Sequence, residues 1–274
     1  MKKTAVVILN YNAWRESIQE AEQIHKVCDV AWEDMIMIDN ASTDDSWERL
    51  SESQHQGYQL LRSEKNGGYA SGNNIALKYA AVHGYDYAWI LNNDILVEDK
   101  EILEKMTVVL EKDKFVAVVN PDIYAPDGHL FNRDAIRPTF FDLTLGMLQY
   151  RRKGRLLTDR GGYGYVYRPQ GCCMLCNLEK LQQVDYLDEH TFLYCEEIIL
   201  AERLLKYGYR CACCTDTKVI HNHSNTVKNN IQQKKILEIK RESFQYYLTQ
   251  YRNYGKLQSR IAGWFDTLKW KMLG

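Results

Sequence analysis

Short apolar runs alternating with segments of helical periodicity constrain this chain more than any other feature of its sequence. Residues 5–9, 35–38, 87–91 and 115–119 are each unbroken apolar runs of four or five residues. That is the length and character of strands buried on both faces, as in a parallel sheet. Between them Trp14, Ile18, Ala21 and His25, and then Ala76, Tyr79, Ala80 and His83, recur at helical spacing. The alternation predicts an α/β fold, Rossmann-like, with a mostly parallel sheet, flanking helices and a ligand crevice at the carboxyl ends of the strands.

The rhythm changes after Pro121. Pro126, Asp127 and Gly128 form a turn signal, and an irregular stretch runs on to Gly161 and Gly162, a length that suits a lid or binding loop. Residues 163–176 read as a hairpin pair of strands, residues 197–207 as a helix ended by Gly208, and residues 217–221 as a further strand. Beyond Asn230 the pattern is helical. Residues 1–225 are therefore expected to form the main domain, and residues 226–274 a helical extension.

With 274 residues, 45% of them hydrophobic, the chain can bury a full core. It contains no apolar stretch of about 18 residues, so no spanning helix is expected. Lys2 and Lys3 resemble the start of a signal peptide, but Asn10, Asn12 and Arg15 end the apolar run too early, and a cytoplasmic location is expected. Eight cysteines fit that compartment as free thiols. Cys173 with Cys176, and Cys211 with Cys213 and Cys214, raise a zinc reading, yet residues 172–176 lack the turn residues of a zinc knuckle, and buried strand thiols are expected instead. The net charge of −1 conceals an asymmetry: the tail from Thr226 holds ten Lys and Arg against three Asp and Glu, leaving −8 on the preceding chain.

Polar clusters follow the predicted strands, where a crevice would open. Asn10, Tyr11 and Asn12 follow the first; Asp39, with Ser42, Asp44 and Asp45 behind it, ends the second; Asn92, Asn93 and Asp94 follow the third. A carboxylate fixed at a strand end can accept hydrogen bonds from a nucleobase or ribose, which suits Asp39. Asp94 suits a hard divalent cation, Mn²⁺ or Mg²⁺, which prefers oxygen ligands and keeps waters or substrate phosphates in its remaining positions. The structural alternative for both clusters is helix capping. Asn66, Gly67, Gly68, Ala70 and Asn73 lie in a glycine-rich stretch entering a helix at about Ser71, where unpaired backbone N–H groups attract phosphate. Glu196 and Glu197 open a later helix, either favouring its dipole or supplying a general base, with Arg203 about two turns on. His221, with His223 nearby, follows the last strand and suits a metal or pyrophosphate contact.

In order and spacing, the pieces at residues 6–12, 38–46, 66–74, 91–94 and 192–197, together with His221, resemble the family 2 glycosyltransferases of GT-A fold, in particular the branch rich in bacterial rhamnosyltransferases of surface polysaccharide synthesis. The resemblance covers about residues 4–223. It implies a nucleoside-diphosphate sugar donor, dTDP-rhamnose or a UDP-hexose, held by Asn10, Tyr11, Asn12, Asp39, Asn66, Gly67, Gly68, Ala70, Asn73, Asn92, Asn93 and Arg203. It further implies a metal held by Asp94 and His221, and Glu197 as the base with Glu196 as its alternate. The family usually has Glu-Asp at that pair and a further Asp two residues on, where this chain has Glu196, Glu197 and Ile199.

The reaction so implied is a direct displacement with inversion onto a glycan or lipid-linked oligosaccharide acceptor. The tail offers two amphipathic faces, Phe244, Tyr247, Leu248 and Tyr251, and then Ile261, Trp264, Phe265, Leu268 and Met272, flanked by Lys and Arg. These suit the inner face of an anionic membrane, which would make the protein peripheral; packing on the main domain or homodimer formation would use the same faces. Nucleic acid is not an expected partner, because the basic residues are confined to the tail. Two other activities remain open at this point: a sugar nucleotidyltransferase, and a non-catalytic glycan-binding or scaffold protein with the same fold.

Overall fold

The computed structural model describes residues 2–130, 133–147, 157–222 and 233–273. The first half alternates as the apolar runs require: β1 (Thr4–Asn10), α1 (Trp14–Cys28), β2 (Met35–Asp39), α2 (Ser46–Ser53), β3 (Gln59–Arg62), α3 (Gly68–Val82), β4 (Tyr87–Leu91), β5 (Ile95–Leu96), α4 (Ile102–Lys112) and β6 (Val116–Tyr124). Then follow β7 (Tyr163–Val166), β8 (Cys173–Asn177), α5 (Leu178–Gln183), α6 (Glu196–Lys206) and β9 (Arg210–His221). The tail contributes α7 (Gln233–Tyr246), a π-helical turn over Tyr247–Tyr251, and α8 (Lys256–Leu273).

The strands form one sheet in the order β3-β2-β1-β4-β8-β6-β9-β5, with β7 alongside β9. Strands β3, β2, β1 and β4 are parallel, the order expected of a βαβ succession. Beyond β4 the sheet is mixed: β8 lies antiparallel between β4 and β6, β6 and β9 run parallel, and β5 and β7 are antiparallel to β9.

The expected hairpin over residues 163–176 does not form. Its two strands pair elsewhere, β7 with the start of β9 and β8 with β4 and β6. The physical reason is burial: Cys173 to Cys176 are covered on both faces, which a central strand satisfies and an edge hairpin does not. β6 continues through Pro121, whose missing N–H coincides with a register irregularity between Pro121 and Asp122. The thiols of Cys172, Cys173, Cys176, Cys211, Cys213 and Cys214 are reduced and buried along β8 and β9 and the turn before β8.

Strand alternation feeds two cores. Val6, Ile8, Met35, Met37, Trp89 and Leu91 face α1, α2 and α4, while Ala5, Val7, Ile36, Ile38, Ala88 and Ile90 face α3, α5 and α6. A third cluster joins the tail to this body: Phe244, Tyr247, Leu248 and Ala262 pack around Ile199 of α6. Polar contacts reinforce it. Glu202 of α6, 4% exposed, takes both arms of Arg137 at 2.7 Å and the Tyr167 hydroxyl at 2.6 Å, and Arg252 Nε lies 3.6 Å away. The first of the two tail faces is thus buried within the chain. The boundary expected at residues 225–226 lies outside the described residues, as does His223.

Leu248 is fully buried in the tail cluster, so Leu248→Ala is expected to cost about 2–5 kcal/mol through lost transfer energy and a residual cavity. Urea denaturation followed by circular dichroism should show a single transition moved to lower urea. An unmoved main transition would mean that the tail adds nothing to the stability of the body.

Candidate active site

Parallel register sets the first contact. Asn10 and Asp39 are paired at the carboxyl ends of β1 and β2, both without solvent exposure. Asn10 Nδ2 donates to Asp39 Oδ1 at 3.0 Å, and the same oxygen accepts the Ser42 hydroxyl at 2.5 Å. Asp39 Oδ2 accepts Ser42 N–H at 3.3 Å, and Arg62 Nε stands 3.6 Å from it, so the buried carboxylate has charge and hydrogen-bond partners. Asn12, in a left-handed conformation (φ 52°), accepts Thr43 N–H at 2.8 Å and thereby ties the β1 loop to the β2 loop. Tyr11, between them in sequence, is half-buried.

The network reaches the third strand through Ser17 of α1. Its hydroxyl donates to Asn10 Oδ1 at 2.9 Å and accepts from Asn93 Nδ2 at 3.0 Å. Asn92 N–H donates to the Cys172 carbonyl at 2.9 Å. The chain then turns so that Ile95 pairs with His221 at the far end of β9. That pairing brings Asp94 Oδ1 within 3.1 Å of His221 Nε2, two residues distant in sequence joined by one strand contact.

The glycine-rich stretch makes the start of α3. Asn66 Oδ1 accepts Gly68 N–H at 3.0 Å and Asn40 Nδ2 at 3.1 Å. Gly68 has φ +87°, and a Cβ there would lie 1.9 Å from the Phe192 carbonyl oxygen, so both conformation and space demand glycine. The next N–H, that of Tyr69, donates to the same carbonyl at 3.1 Å. Gly67 precedes the helix, Ala70 is buried in the core beneath it, and the Asn73 amide turns back to the Tyr69 carbonyl at 2.9 Å.

Beyond Phe192 the backbone passes through two consecutive left-handed residues, Tyr194 (φ 72°) and Cys195 (φ 70°), directly before Glu196 and Glu197 at the start of α6. Such conformations cost about 1–3 kcal/mol each for non-glycine residues and cluster at functional sites. Glu197 Oε1 accepts Gly171 N–H at 3.3 Å, and the Gly171 carbonyl accepts the Tyr69 hydroxyl at 2.6 Å. Glu196 is 5% exposed. Burial, and then the neighbouring Glu197 charge, push its carboxyl up to about 8.

A cavity of about 240 Å³ opens among Tyr69, Asn92, Gly171, Glu196, Glu197 and His221. Of the residues singled out in the sequence, the structure gathers Asn92, Glu196, Glu197 and His221 around this space, with Asp94 paired to His221. Asn10, Asn12, Asp39 and Asn93 form the adjoining network. Arg203 is not brought to them: it binds the Asp185 carbonyl at 3.0 Å and lines a separate cavity with His190 and Tyr246. Ser17, Arg62, Tyr69 and Gly171 escaped the sequence reading. Ser17 had left a signal, being a small polar residue on the buried face of α1 beside Ala21 and Ile24.

Among the described residues no group of three or more His, Cys, Asp or Glu side chains is arranged to hold a metal ion. Asp94 and His221 instead offer one carboxylate oxygen and one imidazole nitrogen. That pair fits a divalent cation completing its shell with water and diphosphate oxygens.

A family model described as "Glycosyl transferase family 2" matches residues 5–183, which hold β1 to β8 and all of the site up to Cys172. The chain belongs to glycosyl transferase family 2. The low-salt glycan biosynthesis hexosyltransferase Agl10 of Haloferax volcanii is 23% identical to this family member over 80% of its length, and the galactofuranosyltransferase GlfT1 of Mycobacterium tuberculosis 25% identical over 68%. The chain spans 66% and 60% of the lengths of those two relatives. The mannosyltransferase PcManGT from Pyrobaculum calidifontis, solved with GDP-Man and Mn²⁺, superposes with a TM-score of 0.61 at 14% identity, over 96% of this chain and 69% of that one. S. aureus TarS 1-349, solved with UDP-GlcNAc, gives 0.59 at 14% identity, over 90% and 66%. The fold is GT-A-like, a curled mixed sheet with flanking helices.

Glu196 carries a pH signature. Its carboxyl titrates near 8 when folded against 4.5 ordinarily, so between these values the folded state holds the extra proton. Stability from this group is present at low pH and lost as pH rises through the window. Melting temperatures of wild type and Glu196→Gln should therefore diverge in the variant's favour as pH rises from about 5 to about 8. A constant difference across that range would contradict the buried-carboxyl account.

Proposed function

We propose that this family 2 chain transfers a glycosyl group from a nucleoside-diphosphate sugar to a glycan acceptor by direct displacement with inversion. The observation that carries the reading is the cavity lined by Glu196, Glu197 and His221, with Asp94 paired to His221, beside the buried Asp39 network. Carboxylate and cation-binding groups around one space are what a displacement at an anomeric carbon needs.

In this reading Asp39, with Arg62 beside it, contacts the nucleobase, while Asn10, Asn12 and Asn93 hold the loops that frame it. Glu197, half-buried and facing the cavity, is the base. It removes the acceptor hydroxyl proton as the acceptor oxygen bonds to the anomeric carbon and the bond to the diphosphate oxygen breaks. Glu196, its carboxyl held neutral at pH 7 by burial, spares Glu197 a second adjacent charge. Asp94 and His221 would hold Mn²⁺ or Mg²⁺, which offsets charge on the departing nucleoside diphosphate when bound. Asn66, Gly67, Gly68, Ala70 and Asn73 shape the start of α3 beside the donor, the N–H groups of Gly68 and Tyr69 being taken by Asn66 and the Phe192 carbonyl.

The finer assignments follow from the resemblance. The donor is dTDP-rhamnose or a UDP-hexose, and the acceptor a lipid-linked oligosaccharide of surface polysaccharide synthesis. Residues 1–225 bind the donor and catalyse, and the tail meets the inner membrane surface, which makes the protein peripheral. Among the described residues no helix is long and apolar enough to cross a membrane.

A screen of nucleotide sugars by thermal shift and turnover, with and without Mn²⁺, tests the reading, since a ligand that binds only the folded state raises the melting temperature. Glu197→Ala should keep the donor-induced shift while turnover falls by about 10²–10⁴-fold. Asp94→Asn should weaken the Mn²⁺ dependence of both. Unchanged turnover in Glu197→Ala would remove the base assignment, and a wild type inactive with every donor would favour a non-catalytic glycan-binding protein.

A further inference from the structure

The tail presents its two apolar faces in opposite ways. Phe244, Tyr247 and Leu248 are buried against α6, whereas α8 turns a second stripe outward. Leu257, Ile261, Trp264 and Leu268 follow the i, i+4, i+7, i+11 spacing of one helical face, and all four are exposed, Leu257 at 72% and Trp264 at 61%. Ser259, Ala262 and Gly263, on the opposite side of the helix, are buried against the tail and α6, with Gln245 Nε2 donating to the Ser259 carbonyl at 2.7 Å. The helix is therefore docked by its small and polar face, leaving its large apolar face to solvent. That is the reverse of what core packing selects.

The charges beside the stripe have one sign. Lys256, Arg260 and Lys269 are exposed along its margins. Asp266 is the acidic residue of the described helix, and it sits on the inward side, 3.8 Å from Lys240. Another exposed apolar pair, Phe141 and Leu145 (54% and 77% exposed), lies on the segment whose Phe140 ring meets Tyr254 edge-on at 5.7 Å, two residues before α8.

We infer that the Leu257–Ile261–Trp264–Leu268 stripe of α8 is a lipid-docking face, which lies in the interface of an anionic membrane with its cationic margins on the headgroups. An indole among aliphatic side chains, bordered by Lys and Arg, has the amphipathic profile that partitions into the headgroup boundary. A second copy of the chain fits less well: an isologous contact along the stripe would bring the cationic margins of the two copies together, with no acidic residue on the outward side of α8 to answer them. The inference rests on the lipid-linked acceptor of the proposed function for its purpose, but not for its geometry. It also narrows the contact to one helix, because the Phe244, Tyr247 and Leu248 face is already occupied.

The docking helix stands close to the chemistry. α7, on which α8 packs, donates the Ser243 hydroxyl to the Leu193 carbonyl at 2.8 Å, three residues before Glu196.

Flotation of the full chain with vesicles of phosphatidylcholine alone, or with added phosphatidylglycerol, tests the inference without any sugar donor. The chain should float with the anionic vesicles and much less with the neutral ones. Trp264→Ser with Ile261→Ser should lower the bound fraction's apparent partition constant by about tenfold or more, with circular dichroism and turnover on a soluble acceptor unchanged. Lys256→Glu with Arg260→Glu should abolish the preference for anionic vesicles. Failure of the wild type to float with either vesicle would overturn the inference, as would a concentration-dependent dimer that the Trp264→Ser, Ile261→Ser pair dissolves. A chain that floats but transfers no sugar would sink the proposed activity and leave the docking face standing.

Discussion

The contact on which the site depends is made by backbone alone. Gly68 and Tyr69, at the start of α3, press against the carbonyl of Phe192, and no side chain fits between them. Strand β2 and the loops after it carry Asp39; the turn after Phe192 carries Glu196 and Glu197. The clasp fixes one to the other. It also explains how two adjacent left-handed residues persist at Tyr194 and Cys195. Strain of that kind survives only where the surroundings over-determine it. Phe192 is held from one side by α3 and Leu193 from the other by Ser243, while Cys195 packs against the cluster formed by Phe244 and Leu248.

A second constraint follows from burial of charge. Asp39 and Glu202 are almost without solvent, and each is answered by arginine: Arg62 beside Asp39, and Arg137 and Arg252 beside Glu202. Among the described residues the Glu196 carboxyl has no such partner, and one of its oxygens accepts no hydrogen bond from them. Burial without compensation keeps a carboxyl neutral rather than stabilising its charge. These three of the buried acids therefore divide by environment: Asp39 and Glu202 face arginines, and Glu196 lies at the cavity beside Glu197 with its burial uncompensated.

What the sequence disclosed tracks how local the determinant is. β1, β2 and β4 are continuous apolar runs, and each lies where its run places it, because burial on both faces writes itself into consecutive residues. β3 carries only Leu60 and Leu61 between Gln59 and Arg62, too short a run to distinguish from a turn, and it was not legible. β9 reaches back to Arg210, seven residues before its expected start, because its cysteines pair with both β6 and β7. The destination of β8 depends on β4 and β6, far away in sequence, and no pattern within residues 163–176 carries that information. The site behaves likewise. Asn10 and Asp39 could be read from their places after strands, whereas Arg203, two turns along the same helix as Glu197, points to Asp185 instead. Helical spacing gives the face of a residue but not which loop comes to meet it.

The tail shows where amphipathicity stops being informative. Two aromatic faces with basic flanks look alike in sequence, yet one is buried while Ile261, Trp264 and Leu268 of the other are exposed. The difference lies in the partner available. α7 and the turn after it meet Ile199, and its apolar side chain lets Phe244 and Leu248 close over the start of α6. An aspartate at that position would need water or a cation and would hold the tail off. The apolar character of Ile199 is thus physically coupled to the docking of the tail. That docking, by covering one face of α7 and the inward side of α8, leaves the Trp264 stripe as the tail's outward face.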